Sequence, residues 1–301
     1  MKTILITGIN GYLGSNLAKR YSKEYQIVGL EYDTINLFRL NGEDFDVFAS
    51  KDGIPDSLFE KYSIDYIIHT ATFYGRNKES NGQMTYANMY LPQLLLEKAV
   101  QNGCKLFINT DTVLERFTNS YALTKKQFGD WLIYYSKNSN IRVVNLKLEH
   151  FFGPGTSNTN FITLMIQKML NNDSVIALTK CEQNRDFLYI DDLLRVYDLM
   201  LKSYNNFKSY EDFNVGSGKN SNLREILEFI KTETSSISKL DYGAIPYRNN
   251  ELMESNNDVT RLNNLGLNYL NELHHYLTPL IHYFYMVLPH NLIWIWKKSL
   301  F

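Results

Sequence analysis

Cysteine is almost absent: Cys104 and Cys181 are the only two in 301 residues. Two thiols build no disulfide framework, and no secretory leader is recognised, so the reducing cytoplasm is the expected location. An excess of charge is missing as well, with 31 Lys and Arg against 32 Asp and Glu. Without a basic face, nucleic acid is excluded as the expected partner. The six histidines show no metal-ligand spacing, so no metal is expected and His69 reads as structural. No Pro- or Ser-rich linker and no internal repeat divides the chain.

A clean apolar run of membrane-spanning length is missing too. The nearest candidate is "PLIHYFYMVLPHNLIWIWKKSLF" at 279–301, which Pro279, His282, Pro289, His290 and Asn291 interrupt. Packing against the body of the protein or a second subunit is the preferred reading of this tail. The other is peripheral membrane contact, with Trp294 and Trp296 at the headgroups and Lys297 and Lys298 beyond them.

What is present is alternation. The runs "TILIT", "QIVGL", "DYIIHTA", "KLFINT" and "RVVNLKL" have strand length. Between them lie helical patterns at 12–23, at 85–103 ("TYANMYLPQLLLEKAVQNG") and at 121–137. Such alternation needs crossovers, and so a parallel sheet covered by helices on both faces. The expected fold class is α/β, a Rossmann-type doubly wound parallel sheet with a smaller, mixed α/β substrate-binding lobe.

The pattern weakens after "FFGPG" at 151–155. Beyond it come a helix "FITLMIQKML", a loop "TKCEQNRDF", a helix "IDDLLRVYDLMLKS" and the segment "FNVGSGKNSNLREILEFIK". The expected division is a dinucleotide-binding lobe of 1–149 plus about 187–215. A second lobe takes about 150–186 and 216–278, and the tail takes 279–301.

The stretch Gly8-Ile9-Asn10-Gly11-Tyr12-Leu13-Gly14 directly follows the first strand. Glycines there turn the chain tightly and admit phosphate without a Cβ clash, while the next helix offers its free N–H groups. Asn10, Tyr12 and Leu13 join the three glycines as candidate cofactor contacts. About 20 residues on, "VGLEYD" ends the second strand and presents Glu31, with Asp33 behind it, to ribose hydroxyls. A carboxylate there repels a 2′-phosphate, so NAD(H) is favoured; Arg39 keeps NADP(H) open.

Tyr121 and Lys125 are four residues apart at the start of a helix and so share one face. A neighbouring cation favours the phenolate, which lets the phenol serve as acid or base at a carbinol carbon. Thr110 ends the preceding strand, at the sheet edge where ligands bind, and can donate to the same oxygen.

Glycine spacing, "HTA" at 69–71, Thr110, Tyr121/Lys125, "FFGPG" and "RDFLYIDDL" together resemble the extended short-chain dehydrogenase/reductases acting on nucleotide sugars. The match spans about residues 3–270. "FINTDT", "KLEHFFGPG", "EQNRDFLYIDDL" and "YGAIPYRNNELMESNN" resemble the nucleotide-sugar 4-ketoreductases of the CDP-abequose synthase group. The resemblance implies Thr110, Tyr121 and Lys125 as the catalytic trio, with Gly8, Gly11, Gly14, Glu31, Ala71 and Lys125 at the cofactor. It also implies a nucleotide-diphosphate sugar substrate and a homodimer through the helices at about 86–102 and 121–137.

The family's 4,6-dehydratases carry Asp-Glu after the catalytic Thr. Here the order is Thr110-Asp111-Thr112, and a hydroxyl is no base near neutral pH. Reduction at C4 of a 4-keto-deoxy sugar is therefore preferred, with 4-epimerisation on tightly held NAD as the alternative. Thr72, Tyr74, Arg76 and Asp111 are candidate sugar contacts, and Asn160 and Arg248 candidate diphosphate or base contacts. Arg185 reads either as a diphosphate partner or as an ion pair with Asp191 or Asp192. His150 lines the sugar pocket or is a satisfied core histidine.

Overall fold

The computed structural model describes residues 1–75, 78–248, 251–255, 258–267 and 272–287. In chain order its strands are β1 (Thr3–Thr7), β2 (Gln26–Glu31), β3 (Asp46–Ala49), β4 (Tyr66–His69), β5 (Leu106–Thr112) and β6 (Arg142–Leu148). They continue with β7 (His150–Phe152), β8 (Val175–Leu178), β9 (Asn184–Tyr189), β10 (Tyr210–Val215), β11 (Asn220–Asn222) and β12 (Lys239–Tyr242). The helices are α1 (Tyr12–Tyr21), α2 (Asp56–Lys61), α3 (Asn81–Thr85), α4 (Leu91–Gln101) and α5 (Ser120–Asn138). Then follow α6 (Phe161–Leu170), α7 (Ile190–Ser203), α8 (Leu223–Glu233), α9 (Thr260–Asn264) and α10 (Leu273–Val287).

Two compact units divide these elements. The first comprises Met1–Leu148, Leu194–Val215 and Val259–Leu267. Its seven strands lie in the order β10-β6-β5-β4-β1-β2-β3, every pair parallel. This is the doubly wound arrangement expected from the alternation, with the order reversing between β1 and β4. Register sets the chemistry of the sheet. Leu5 lies beside Val28 and Ile67, Ile67 beside Phe107, and Phe107 beside Val143, one apolar row across five strands. Leu95, Leu96 and Ala99 of α4 and Phe128 and Leu132 of α5 cover that row. Two residues further along β1, β4, β5 and β6, on the same face, the row is polar, with Thr7, His69, Asn109 and Asn145, and Asp212 of β10 continues it; on β2 the place is held by Leu30. Apolar burial thus drives the helices onto the sheet and leaves polar groups toward its carboxyl edge.

The second unit takes Glu149–Leu193, Gly216–Asp258 and residues 272–287. Here β9 pairs with β7 in parallel and with β11 antiparallel, while β8 and β12 form a separate parallel pair. Helices α6, α8 and α10 supply its core, including Ile162, Ile166, Ile226, Ile230, Leu277, Ile281 and Phe284.

Several expectations need correction. The segment 187–193 belongs to the second unit, and 259–267 returns to the first, where Arg261 pairs with Glu211 and stacks on Phe213 of β10. Part of the "TKCEQNRDF" loop is strand β9, stabilised by ladders on both sides. Tyr210–Val215, within the stretch expected for the dinucleotide-binding lobe, forms β10, the seventh strand of the large sheet. Pro279 does not break the chain, because α10 runs through it. An internal proline costs about 3 kcal/mol. Burial of Leu277, Leu280, Ile281 and Phe284 offsets that, at about 1.5–3 kcal/mol for each fully buried side chain. The tail therefore packs into the second unit as far as Tyr285, while Met286 and Val287 at the end of the helix are exposed. Its remainder, with Pro289, His290, Asn291, Trp294, Trp296, Lys297 and Lys298, lies outside the described residues. No helix among the described residues is long and apolar enough to cross a membrane.

Gly14 illustrates how tightly the first turn is built, since a Cβ there would lie 2.2 Å from the Gly8 carbonyl oxygen. Gly14→Ala is expected to lower the unfolding free energy by about 1–3 kcal/mol in urea titration. Wild-type stability would mean that the turn relaxes freely.

Candidate active site

The glycine turn begins where β1 ends. Gly8 adopts φ +64°, and its N–H donates to Leu30 O at 2.8 Å, while Gly11 N–H donates to Gly8 O at 2.8 Å. A Cβ on Gly8 would stand 2.8 Å from Ala71 Cα, so the loop after β4 abuts the turn. Helix α1 starts at Gly11 with no side-chain cap and no acidic residue in its first turn. The positive end of such a helix suits an anion supplied from outside the protein.

Glu31, at the end of β2, stands beside this turn. Its carboxylate accepts Asn10 N at 2.9 Å and Tyr32 N at 3.0 Å. The Asn10 side chain in turn holds the following loop, accepting Arg39 N at 3.0 Å and donating to Asn36 O at 3.0 Å. Burial draws the Arg39 guanidinium below its usual pKa. These residues fit a dinucleotide: a turn that side chains would fill, an uncapped helix start for pyrophosphate, and an acid for ribose hydroxyls.

Tyr121 and Lys125 lie in the first turns of α5, which Asn119 caps by accepting Ala122 N at 2.8 Å. Tyr121 is half-buried, with the Tyr74 ring centroid 5.1 Å from its own. Lys125 is 1% exposed. Burial pulls its ammonium down to about 8, opposed by the Asp111 carboxylate and reinforced by Lys126. His69, in the polar row beneath, is held well below its usual pKa, first by burial and then by Lys125. Its Nδ1 lies 2.7 Å from Thr7 Oγ1, and its ring packs against Phe107 and Phe128. It remains a neutral, structural imidazole.

Asp111 does not offer its carboxylate to a substrate, contrary to expectation. It is 3% exposed and accepts Lys126 Nζ at 3.0 Å, Asn145 Nδ2 at 3.1 Å and Thr112 N at 2.7 Å. Thr112 Oγ1 is engaged as well, accepting Leu114 N at 3.2 Å.

Two residues escaped the sequence reading. Asn88 lies in a π-helical turn (Tyr86–Tyr90) between α3 and α4. It accepts Phe73 N and Thr72 Oγ1 and donates to Phe73 O and Thr124 Oγ1, tying the loop after β4 to α5. Tyr197 of α7 places its hydroxyl 2.7 Å from Thr110 Oγ1. The signal for the first was a lone Asn among apolar neighbours. For the second there was none, since Tyr197 sits on the core face of an ordinary amphipathic helix. Tyr74 is exposed, and Arg76 lies outside the described residues.

The candidates of the second unit are placed differently. The His150 side chain is half exposed, which overturns the core-histidine reading, and its Nδ1 stands 3.5 Å from the buried Glu149 carboxylate. Asn160 caps α6 by accepting Thr163 N at 3.4 Å and donates to Phe151 O at 3.0 Å. Arg185 pairs with Glu251 at 2.6 Å and donates to Asn184 O at 3.0 Å, so its partner is neither Asp191 nor Asp192. These contacts employ Asn160 and Arg185 in building their own unit. Arg248 is exposed.

The buried ammonium has a measurable cost. Because the folded pKa of Lys125 lies below the ordinary lysine value, the native state is penalised at every pH below about 8. The penalty fades as pH rises toward the unfolded value near 10.4. Lys125→Met is therefore expected to stabilise the ligand-free protein at pH 7 by about 3 kcal/mol at most, with the difference shrinking by about pH 10.5. Urea unfolding of both proteins across that range checks it. A Met variant less stable at pH 7 would reverse the sign of the argument.

Comparison with known proteins gives the family and the fold. The model of the NAD dependent epimerase/dehydratase family matches residues 4–216. A CDP-abequose synthase of Salmonella muenchen is 35% identical over 88% of this chain and 92% of its own. A second, from Salmonella typhimurium, is 31% identical over 84% of this chain and 88% of its own. Among solved structures, a UDP-glucose 4-epimerase of Thermotoga maritima superposes with a TM-score of 0.83 at 20% identity, covering 95% of this chain and all of that one. The matched span contains the glycine turn, Glu31, Thr110, Tyr121 and Lys125, and the chain belongs to the NAD dependent epimerase/dehydratase family.

Proposed function

We propose that this enzyme reduces the C4 carbonyl of a nucleotide-diphosphate 4-keto-deoxy sugar, CDP-linked, in the biosynthesis of a surface polysaccharide. The reading rests chiefly on one observation. Tyr121 and the buried Lys125 follow a strand whose Thr110 hydroxyl ends at the carboxyl edge, while both residues after Thr110 are committed to the protein. Acid/base elimination of water therefore has no free carboxylate at 111 and no base at 112. Carbonyl reduction needs neither. The similarity to the two CDP-abequose synthases supports the same choice.

A reduced nicotinamide, when bound, supplies a hydride equivalent. The residues supply the rest. Thr110 Oγ1 donates to the C4 oxygen and stabilises charge as it develops there. Tyr121 Oη passes its proton to that oxygen, completing the alcohol. The Lys125 ammonium stabilises the phenolate left behind, and water then restores the phenol proton. Glu31 accepts the adenosine ribose hydroxyls, which favours NAD(H) over NADP(H).

A second reading, 4-epimerisation on retained NAD, draws on Glu31 and on the fold shared with the UDP-glucose 4-epimerase. A homodimer through the helices at about 86–102 and 121–137 accompanies either reading, supported by the exposed rings of Tyr90, Trp131 and Tyr134.

Incubation with NADH, with NADPH or without cofactor, on a panel of nucleotide 4-keto sugars with NMR of the product, separates the two readings. Stoichiometric cofactor oxidation is the expected result; inversion without net oxidation would favour epimerisation. Tyr121→Phe is expected to bind cofactor normally and lose about 100- to 10,000-fold in kcat. Activity within a few fold of wild type would remove Tyr121 from the chemistry.

A further inference from the structure

Among the described residues, Thr110 Oγ1 has one hydrogen-bond partner, the phenol of Tyr197, 2.7 Å away. Tyr197 is 0% exposed, and burial pushes its phenol far above the ordinary value, so it keeps its proton at neutral pH. Two hydroxyls share this contact, and the bond can run either way. The surroundings decide the direction. No other hydrogen-bond acceptor meets Tyr197 Oη among the described residues; the nearby Tyr74 phenol acts on it only through its field. Were Thr110 the donor, the buried phenol proton would be stranded, which is costly. With Tyr197 donating, the phenol proton is satisfied. The half-buried Thr110 then keeps its own proton for a group outside the protein.

We propose that Tyr197 is a positioning residue that commits the Thr110 hydroxyl to donate toward the substrate oxygen. The proposal rests on the reductase reading and deepens it. The chain of donors runs from Tyr197 Oη to Thr110 Oγ1 to the C4 oxygen. Each bond polarises the next, so the last donor is strengthened as negative charge grows on that oxygen. The interaction works in the transition state more than in binding, and it should therefore appear in kcat rather than KM.

The experiment is a double-mutant cycle on the full-length enzyme with Tyr197→Phe and Thr110→Val, both close in shape to the residues they replace. Tyr197→Phe is expected to lower kcat about tenfold, and Thr110→Val about 100-fold or more, with KM and NADH affinity within about twofold of wild type. The double variant should match Thr110→Val within about twofold, because Tyr197 acts only through that hydroxyl. Near-normal kcat in Tyr197→Phe beside an impaired Thr110→Val would overturn the proposal, as would losses that simply multiply. A wild-type enzyme inert on every nucleotide 4-keto sugar would sink the reductase reading instead. The pair is then read from urea unfolding. A double variant less destabilised than the two single costs combined supports the bond, and additive costs overturn it.

Discussion

A cation kept out of water organises the first unit. Lys125 is buried at the start of α5, above a sheet row that includes His69, with the Asp111 carboxylate acting on it. A dry ammonium is costly, and each positive neighbour adds to the cost, as Lys126 does here. His69 adds no further positive charge, because its imidazole is wedged against Phe107 and Phe128 and held neutral. Asp111 supplies the counter-charge, and it is anchored by Lys126 and Asn145 so that it does not turn toward solvent. The carboxylate next to Thr110 therefore belongs to the scaffold. It also acts through its field on Lys125, opposing the effect of burial.

The same logic of restraint governs the loops. The chain after β4 would otherwise be free to move between the glycine turn and α5. Thr7 Oγ1 accepts Thr70 N and Ala71 N at its start, and Asn88 holds Thr72 and Phe73 at its middle. Asn88 reaches that loop and Thr124 together from a π-helical turn, a departure from regular helix that recurs at functional sites. Tyr74 follows directly and lays its ring beside Tyr121. The candidate site groups thus come from the ends of different strands and from one helix, held in place by hydrogen bonds and ring contacts.

Much of this was legible in the residues. The five strong strands, the long helices, the glycine turn and the Tyr121–Lys125 face follow from periodicity and spacing, which are local properties of the backbone. What was illegible falls into two kinds. Short elements such as β3, β7, β8, β11 and β12 have too few residues to show a period, and pairing alone makes them strands. Polar residues with several possible partners carry no sign of which one they meet. Arg185 found Glu251, 66 positions away, rather than an acid in its own motif. Asn160 became a helix cap, and Asp111 an internal anchor.

By itself the sequence determined that strands and helices alternate, that glycine opens a phosphate-sized turn, and that a phenol and an ammonium share a helical face. Those are consequences of backbone geometry within a few residues. Only the tertiary structure decided that Thr7, His69, Asn109, Asn145 and Asp212 fall into one row, and that Tyr197 meets Thr110. Strand register and helix packing bring together side chains tens of residues apart, and burial then fixes which of them are charged and which way their hydrogen bonds run.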